Sequence, residues 1–357
     1  MTNGRLRVLV AEDSATVRAR LVEVLRADAG IEVVGEARDG REAVALCSAL
    51  RPDVLTVDMM MPIMTGLAAT EHIMAYCPTP ILVVSSSINR AELFETYEAL
   101  AAGAVDVLEK PTGEEPVGEW ETRFLAAVRM VARIKVITHP RARLRDVGGP
   151  PPTAPFPRPG ASPRAAIAIG ASTGGPGAVL EVLRGLGPDF PLPILLVIHI
   201  GAPFGAAFAD WLDGLSPLRV RTPVEGEALP PRGRGVVFLA PPEQHLVLRG
   251  GRLGLTDAPP RHSCRPSVDV LFESVAGELG ASAVGCLLTG MGNDGAAGLL
   301  AMRAAGATTI AQDEATSAVY GMPREAARIG AASRILALEA IPPALARLAA
   351  SSTSEVA

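Results

Sequence analysis

The sequence predicts two α/β domains, each built on a doubly wound, mainly parallel sheet, joined by a proline- and arginine-rich linker. Short apolar runs alternate with amphipathic helical patterns in both halves of the chain, the order that crossover helices between parallel strands produce. Between the halves lies THPRARLRDVGGPPPTAPFPRPGASPR, with Pro140, Pro150, Pro151, Pro152, Pro155, Pro157, Pro159 and Pro163 and no apolar periodicity. Polar and charged residues collect where the predicted strands end, the edge at which open α/β sheets place their sites.

In the first half, Arg7–Ala11 reads as a strand ending on Glu12 and Asp13, and Ser14 opens an amphipathic helix through Leu25. Ile31–Ala37 is a second strand and Gly40–Leu50 a second helix. Val54–Val57 is a third strand, ending on Asp58, and Ile81–Val84 a fourth, ending on Ser85. Ala91–Ala102 is a helix, Gly103–Leu108 a fifth strand before Lys110, and Glu119–Ile137 a closing helix. Glu12, Asp13 and Asp58 thus converge at strand ends. Such carboxylates repel one another unless a cation neutralises them, and an all-oxygen set suits Mg²⁺ first. Lys110 adds a positive charge for an incoming phosphoryl group and Ser85 a hydroxyl donor. Solvated acidic turns would explain any one of these residues; they do not explain acids, hydroxyl and lysine together at strand ends.

The linker reads as partly extended polyproline II, and Arg141, Arg143, Arg145, Arg158 and Arg164 keep it soluble. The domain expectation is 1–133, a linker 134–163, a second domain 164–350 and a tail 351–357. In the second domain Ala165–Ile169 is a strand, Ala178–Leu186 a helix, Ile194–Ile200 a strand and Phe204–Leu215 a helix. Val236–Leu239 is another strand. His245–Leu248 turns at Gly250-Gly251 into Leu253–Thr256 as a hairpin. Ser267 caps a helix to Leu279, and Ala283–Thr289 is a buried strand leading through GMGNDG into a helix ending at Ala305. Thr308–Ala311 and the helix Pro342–Ala349 complete it.

One stretch organises this second half: GASTGGPG, Gly170–Gly177, between a strand and a helix. Three readings compete for it. Gly170-Ala171-Ser172-Thr173-Gly174 spells the G-x-S-x-G of a nucleophile elbow. Strand, glycines and helix also describe a dinucleotide or phosphate cradle. The third reading is a tight turn with a serine N-cap. A dinucleotide site wants an acid at the end of the next strand, about 20 residues on; that strand ends on His199, which favours a hydrolase. Asp294 lies on a third turn, so serine attacks, histidine takes the proton and aspartate fixes the imidazole. The order Ser172, His199, Asp294 is not the Ser, Asp, His order of α/β-hydrolases.

Bulk properties narrow the class. A length of 357 residues with 48% apolar composition supports two cores. A net charge of -5 gives no reason to expect nucleic acid. Cys47, Cys77, Cys264 and Cys286 have no metal-ligand spacing, so reduced thiols are expected. No apolar run reaches the length of a membrane span, and the N-terminus lacks a signal-peptide pattern. The expectation is a cytoplasmic protein without direct membrane insertion.

The motifs VLVAEDS, DVLTVDMMMPIMTGL, PILVVSSS and GAVDVLEKP, over roughly Leu6–Ala127, resemble a two-component response-regulator receiver, a flavodoxin-like fold. The resemblance implies Asp58 as phospho-acceptor and Mg²⁺ held by Glu12, Asp13, Asp58 and the carbonyl of Met60. It implies Ser85 as switch hydroxyl, Lys110 as phosphoryl-binding lysine and a chemotaxis-type sensor histidine kinase as phosphodonor. Val107 stands where receivers often carry a switch aromatic. The motifs IGASTGGP, VIHI, APPEQHLVL, RPSVDVLFESVA and LLTGMGNDGAAGL, within Ala165–Asp313, resemble the Rossmann-like catalytic domain of chemotaxis protein-glutamate methylesterases. Where that family commonly reads Gln-His-Met, this chain reads Ile198-His199-Ile200.

This second resemblance implies hydrolysis of glutamate γ-methyl esters on chemoreceptor cytoplasmic helices, releasing methanol, and deamidation of receptor glutamines. It implies Ser172 as nucleophile, His199 as base, Asp294 as its partner, and N–H groups at Met291 and Thr173 as oxyanion donors. The esterase reaction would need no cofactor, and the receiver would inhibit until phosphorylated. The alternative reading is a phospho-switched binding or adaptor protein on a non-catalytic hydrolase fold; the complete Ser172, His199, Asp294 set argues against it.

Overall fold

A computed structural model describes residues 4–86, 89–111, 115–116, 118–134, 136, 164–233 and 235–350. The readings of the linker core at 137–163 and of the tail at 351–357 lie outside the described residues. By its internal contacts the chain divides into Met1–Val147 and Gly148–Ala357.

The first unit contains β1 (Leu6–Ala11), α1 (Ala15–Arg26), β2 (Ile31–Ala37), α2 (Gly40–Leu50), β3 (Val54–Val57), α3 (Gly66–Tyr76), β4 (Ile81–Ser85), α4 (Arg90–Ala101), β5 (Asp106–Glu109) and α5 (Glu119–Val131). Its parallel sheet has the order β2-β1-β3-β4-β5. Alternate residues of one strand feed opposite faces. Leu9, Leu55, Ile81 and Val83 pack on one side with Ile73, and Val8, Val10, Leu82 and Val84 on the other with Phe124 and Val128. Helix starts follow short polar side chains that accept a backbone N–H: Ser14 from Val17, Asp39 from Glu42, Thr65 from Ala68 and Asn89 from Ala91.

Two boundaries differ from expectation by several residues. β5 starts at Asp106 rather than Gly103, because Gly103 takes a left-handed turn (φ 116°) and the Ala104 N–H closes α4 on the Ala99 carbonyl at 2.9 Å. α5 ends at Val131 rather than Ile137, where the N–H groups of Arg133 and Ile134 bond three residues back, to Met130 and Val131.

The second unit contains β6 (Ala166–Ala171), α6 (Gly175–Leu186), β7 (Ile194–Ile198), α7 (Ala202–Leu215), β8 (Arg219–Arg221), β9 (Val236–Leu239), β10 (His245–Arg249), β11 (Arg252–Thr256), α8 (Val268–Leu279), β12 (Ala283–Leu287), α9 (Ala296–Ala304), β13 (Thr308–Gln312), α10 (Met322–Arg328), β14 (Arg334–Leu336) and α11 (Ile341–Ala350). Its parallel sheet runs β14-β13-β12-β6-β7-β9-β8, with β10 and β11 as a separate antiparallel hairpin. Gly250 and Gly251 turn that hairpin at φ 56° and 70°, values a two-residue turn between twisted strands requires.

β6 extends to Ala171, beyond the expected Ile169, and α6 starts at Gly175 rather than Ala178. Its N-cap is Gly174 in the left-handed region (φ 76°) with no side-chain cap, so the serine N-cap reading of Ser172 does not hold. A side chain at Gly174 would also meet the Ala318 Cβ at 2.5 Å. β8, α10 and β14 were not anticipated; each is too short to show a hydrophobic period. Ala168, Leu195, Phe238, Val268, Phe272 and Leu299 belong to this unit's own core.

One feature of the order positions the site. The chain leaves β6 for β7 on one side and later returns to pair β12 on the other. The carboxyl ends of β6, β7 and β12 therefore meet at a topological switch point, where doubly wound sheets open a crevice.

Candidate active site

β6 and β7 pair Ala171 with Ile198, so Ser172 and His199 are the next residues on neighbouring strand ends. The His199 N–H donates to the Ala171 carbonyl at 3.1 Å, and the Ser172 N–H to the Thr289 carbonyl at 3.0 Å. This second bond draws the loop after β12 over the end of β6. Gly290 makes the approach possible: a Cβ there would meet the Met322 Sδ at 2.3 Å and the Ser172 Cβ at 2.8 Å.

The same loop carries Asp294 back over the sheet. Its Oδ2 lies 2.9 Å from His199 Nε2. Asp294 also accepts from Ser267 Oγ at 2.7 Å, the Val268 N–H at 2.7 Å and the Asp269 N–H at 3.1 Å. The carboxylate thus sits on the N-terminus of α8, among its unpaired N–H groups and the positive end of its dipole. Burial works to raise the Asp294 pKa, but the bonds from His199, Ser267 and Val268 outweigh it and hold the group ionised. Burial likewise works to lower the His199 pKa. Its hydrogen bonds to Asp294 and Cys264 prevail and push it up to about 9.

With Nε2 on Asp294, the nitrogen left for proton transfer is Nδ1, and Cys264 Sγ stands 3.7 Å from it. Among the described residues the Ser172 hydroxyl makes no hydrogen bond, to His199 or to any other group. Catalytic hydrogen bonds are often long without substrate and tighten in the complex. The N–H groups of Thr173 and Met291 also have no partner among the described residues, so they remain available to an oxyanion.

Sequence reasoning treated Ser267 only as a cap and His245 only as the opening of a hairpin, and it gave Cys264 no role. Ser267 does cap α8, accepting from the Val270 N–H, but its hydroxyl also orients Asp294. Buried His245 accepts the Ser267 N–H through Nδ1 at 3.1 Å. His262 makes no hydrogen bond to Ser172, His199 or Asp294 among the described residues; its Nε2 lies 3.1 Å from Asp269 Oδ2. The available signal was the RPSVDV run itself, a cap followed by an acid in the first turn, but the partners lie far along the chain.

In the first unit, Glu12, Asp13 and Asp58 offer oxygens within 4.8 Å of one another. Lys110 Nζ is 2.8 Å from Asp58 Oδ1 and 3.0 Å from Glu12 Oε2. Burial first, and repulsion from Asp58 second, push Glu12 up to about 7. Burial also raises Asp58 against the lowering pull of Lys110. Glu12 accepts the Ser14 N–H at 3.1 Å and shares Lys110 with Asp58, yet burial still raises both acids, and an all-oxygen cluster of this kind fits Mg²⁺. Met60 follows two residues after Asp58 with its side chain exposed, leaving its carbonyl as its hard ligand atom. Ser85 Oγ donates to the buried Glu92 carboxylate at 2.7 Å, so the expected switch hydroxyl is occupied by a residue sequence reasoning passed over. Val107 packs against the core around Leu9 and Val83, with no aromatic in its place.

The sequence model of the CheB methylesterase family matches residues 167–345, and that of the response regulator receiver domain matches residues 8–118. Over 347 residues the chain is 46% identical to "Protein-glutamate methylesterase/protein-glutamine glutaminase 2" of Anaeromyxobacter dehalogenans, covering 96% of this chain and 97% of that protein. The chain belongs to the CheB methylesterase family. Within that family it is also 44% identical to "Protein-glutamate methylesterase/protein-glutamine glutaminase 4" of Geobacter metallireducens, over 96% of this chain and 99% of that one. The crystal structure of the Thermotoga maritima CheB methylesterase catalytic domain, 32% identical, covers 52% of this chain and all (100%) of that one with a TM-score of 0.49. The receiver match in front of the methylesterase match gives this family member both halves along nearly its whole length.

Proposed function

We propose that the chain hydrolyses glutamate γ-methyl esters on chemoreceptor cytoplasmic helices, releasing methanol, deamidates glutamines there, and is switched on by phosphorylation of Asp58. The observation that carries this reading is the imidazole of His199, anchored on Asp294 at 2.9 Å, on the strand end next to that of Ser172. Ser172 Oγ attacks the ester carbonyl and gives its proton to His199 Nδ1. The N–H groups of Thr173 and Met291 receive the tetrahedral oxyanion. The imidazolium then protonates the leaving methanol, and a water deprotonated by the same nitrogen frees the glutamate. A glutamine side chain follows the same path with ammonia as the leaving group. We assign no cofactor to the esterase reaction; the groups given roles in it are Ser172, His199 and Asp294.

In the receiver half, Asp58 accepts the phosphoryl group from a sensor histidine kinase of the chemotaxis type. Glu12, Asp13, Asp58 and the Met60 carbonyl would hold Mg²⁺, which would supply positive charge to offset the acids and the phosphoryl oxygens. Lys110 pairs with the new phosphate, and Ser85 turns from Glu92 toward it. A cytoplasmic location suits both the kinase and the receptor helices. The test is methanol release from methylated receptor membranes. Ser172→Ala, which removes only a hydroxyl, abolishes turnover to within the residual of about 10³–10⁴ over water that site and binding alone supply. Near-normal release by Ser172→Ala overturns the nucleophile, and a protein that binds receptors without releasing methanol in any form is an adaptor.

A further inference from the structure

The four cysteines differ in a way the esterase reaction does not use. Cys47, Cys77 and Cys286 are buried, and burial pushes Cys47 up to about 11 and Cys286 up to about 12. Cys47 and Cys286 therefore stay protonated, and all three side chains are out of solvent reach. Cys264 alone of the four is partly exposed. Its Sγ lies 3.7 Å from His199 Nδ1, the ring nitrogen that Asp294 leaves free, and 3.4 Å from the His262 carbonyl. The turn that presents it is tightly held. Arg261 and Cys264 exchange N–H···O bonds of 3.1 and 2.8 Å, and the residues between them, His262 and Ser263, both take left-handed backbone at φ 51° and 61°. Non-glycine residues hold such conformations only where the surroundings impose them. His262 is pinned in turn by its bond to buried Asp269.

A thiol beside an imidazole whose other nitrogen is bonded to an ionised aspartate has the arrangement that makes sulfur nucleophilic. We propose that Cys264 is an oxidant-sensitive modification site that shuts off the esterase by occupying the basic face of His199. The inference rests on His199 being the esterase base. His199 Nδ1 takes the thiol proton, and the thiolate attacks one oxygen of a hydroperoxide such as hydrogen peroxide. The S–O bond forms as the O–O bond breaks. The departing hydroxide takes the proton from the imidazolium and leaves as water. Sulfur is oxidised by two electrons to the sulfenic acid and the peroxide is reduced by two. The added oxygen then lies between Cys264 and Nδ1, where the proton of Ser172 must arrive. A dithiol reverses the step through a mixed disulfide.

The experiment treats the full-length chain with hydrogen peroxide in the presence or absence of dimedone, which traps sulfenic acids. Methanol release is followed, each protein against its own untreated rate, and the labelled peptide is located by mass spectrometry. The expected result is at least a tenfold loss of activity, label on Cys264 and not on Cys47, Cys77 or Cys286, and recovery with dithiothreitol when dimedone is absent. Cys264→Ala keeps its own untreated rate through the same treatment. Two results overturn the proposal: Cys264 unlabelled in the wild type, or Cys264→Ala inactivated as fast as the wild type. Cys264 fully labelled with activity retained overturns instead the placement of the base at His199 Nδ1, and the shut-off with it.

Discussion

Burial alone would drive the His199 imidazole toward its neutral form, yet its bonds to Asp294 and Cys264 reverse the sign and raise its pKa to about 9. A base must be neutral to accept the proton of Ser172. Activity therefore falls as pH drops through the folded-state value, and the acid limb of kcat/KM lies above the unperturbed value of about 6.5. Replacing Cys264 by Ala removes one raising contribution and moves that limb to lower pH, whereas a limb at or below the unperturbed value in the wild type would contradict the placement of the base. Ser172, His199 and Asp294, the proposed triad, were readable in the sequence because each closes a strand or lies on a glycine-rich turn. Cys264 was not readable, because nothing in HSCRPSV signals that its sulfur meets a ring 65 positions earlier.

At the level of single elements, α8 does two jobs with one end. Its first turn packs Val268 against β6 so closely that a Cβ at Gly170 would meet the Val268 Cγ1 at 2.2 Å. The same turn directs Ser267 Oγ and the N–H groups of Val268 and Asp269 at the Asp294 carboxylate. Ser267→Ala thus removes both an N-cap and a hydrogen bond to a charge. The expected cost is about 1–3 kcal/mol in urea unfolding. Asp294, with one donor fewer, also loses hold on the ring, so kcat falls while KM stays near its wild-type value. A variant that loses stability but keeps the kcat of the wild type would show that Ser267 serves the helix alone. Periodicity located the helix and its cap, since both are local; it missed β8, α10 and β14, which are short pieces stabilised by neighbours rather than by their own pattern.

For the whole chain, each unit has a sheet and a core of its own. Under the proposed control, a chain lacking residues before about Arg164 has higher basal methanol release than the unphosphorylated full-length protein. Acetyl phosphate with Mg²⁺ raises the activity of the full-length chain, and Asp58→Ala abolishes that response. EDTA blocks the response without lowering the basal rate of the truncated chain. A truncated chain no more active than the full-length one removes the inhibitory role of the receiver, and a response that survives Asp58→Ala removes the acceptor.

The amino-acid order by itself determined the fold class, the family and the residues at strand ends, because alternation of buried strands with amphipathic helices is written locally and a parallel sheet gathers its strand ends on one edge. Only the tertiary structure decided which nitrogen of His199 faces Asp294, that α8 is the anchor of that aspartate, that Ser85 is held by Glu92 and that the Cys264 thiol stands beside the other nitrogen of the ring. The relations around His199 and Asp294 join residues tens of positions apart and depend on where loops of the β6–β7–β12 switch point fold back, while the Ser85–Glu92 bond joins a strand end to the following helix; no period in the sequence encodes either.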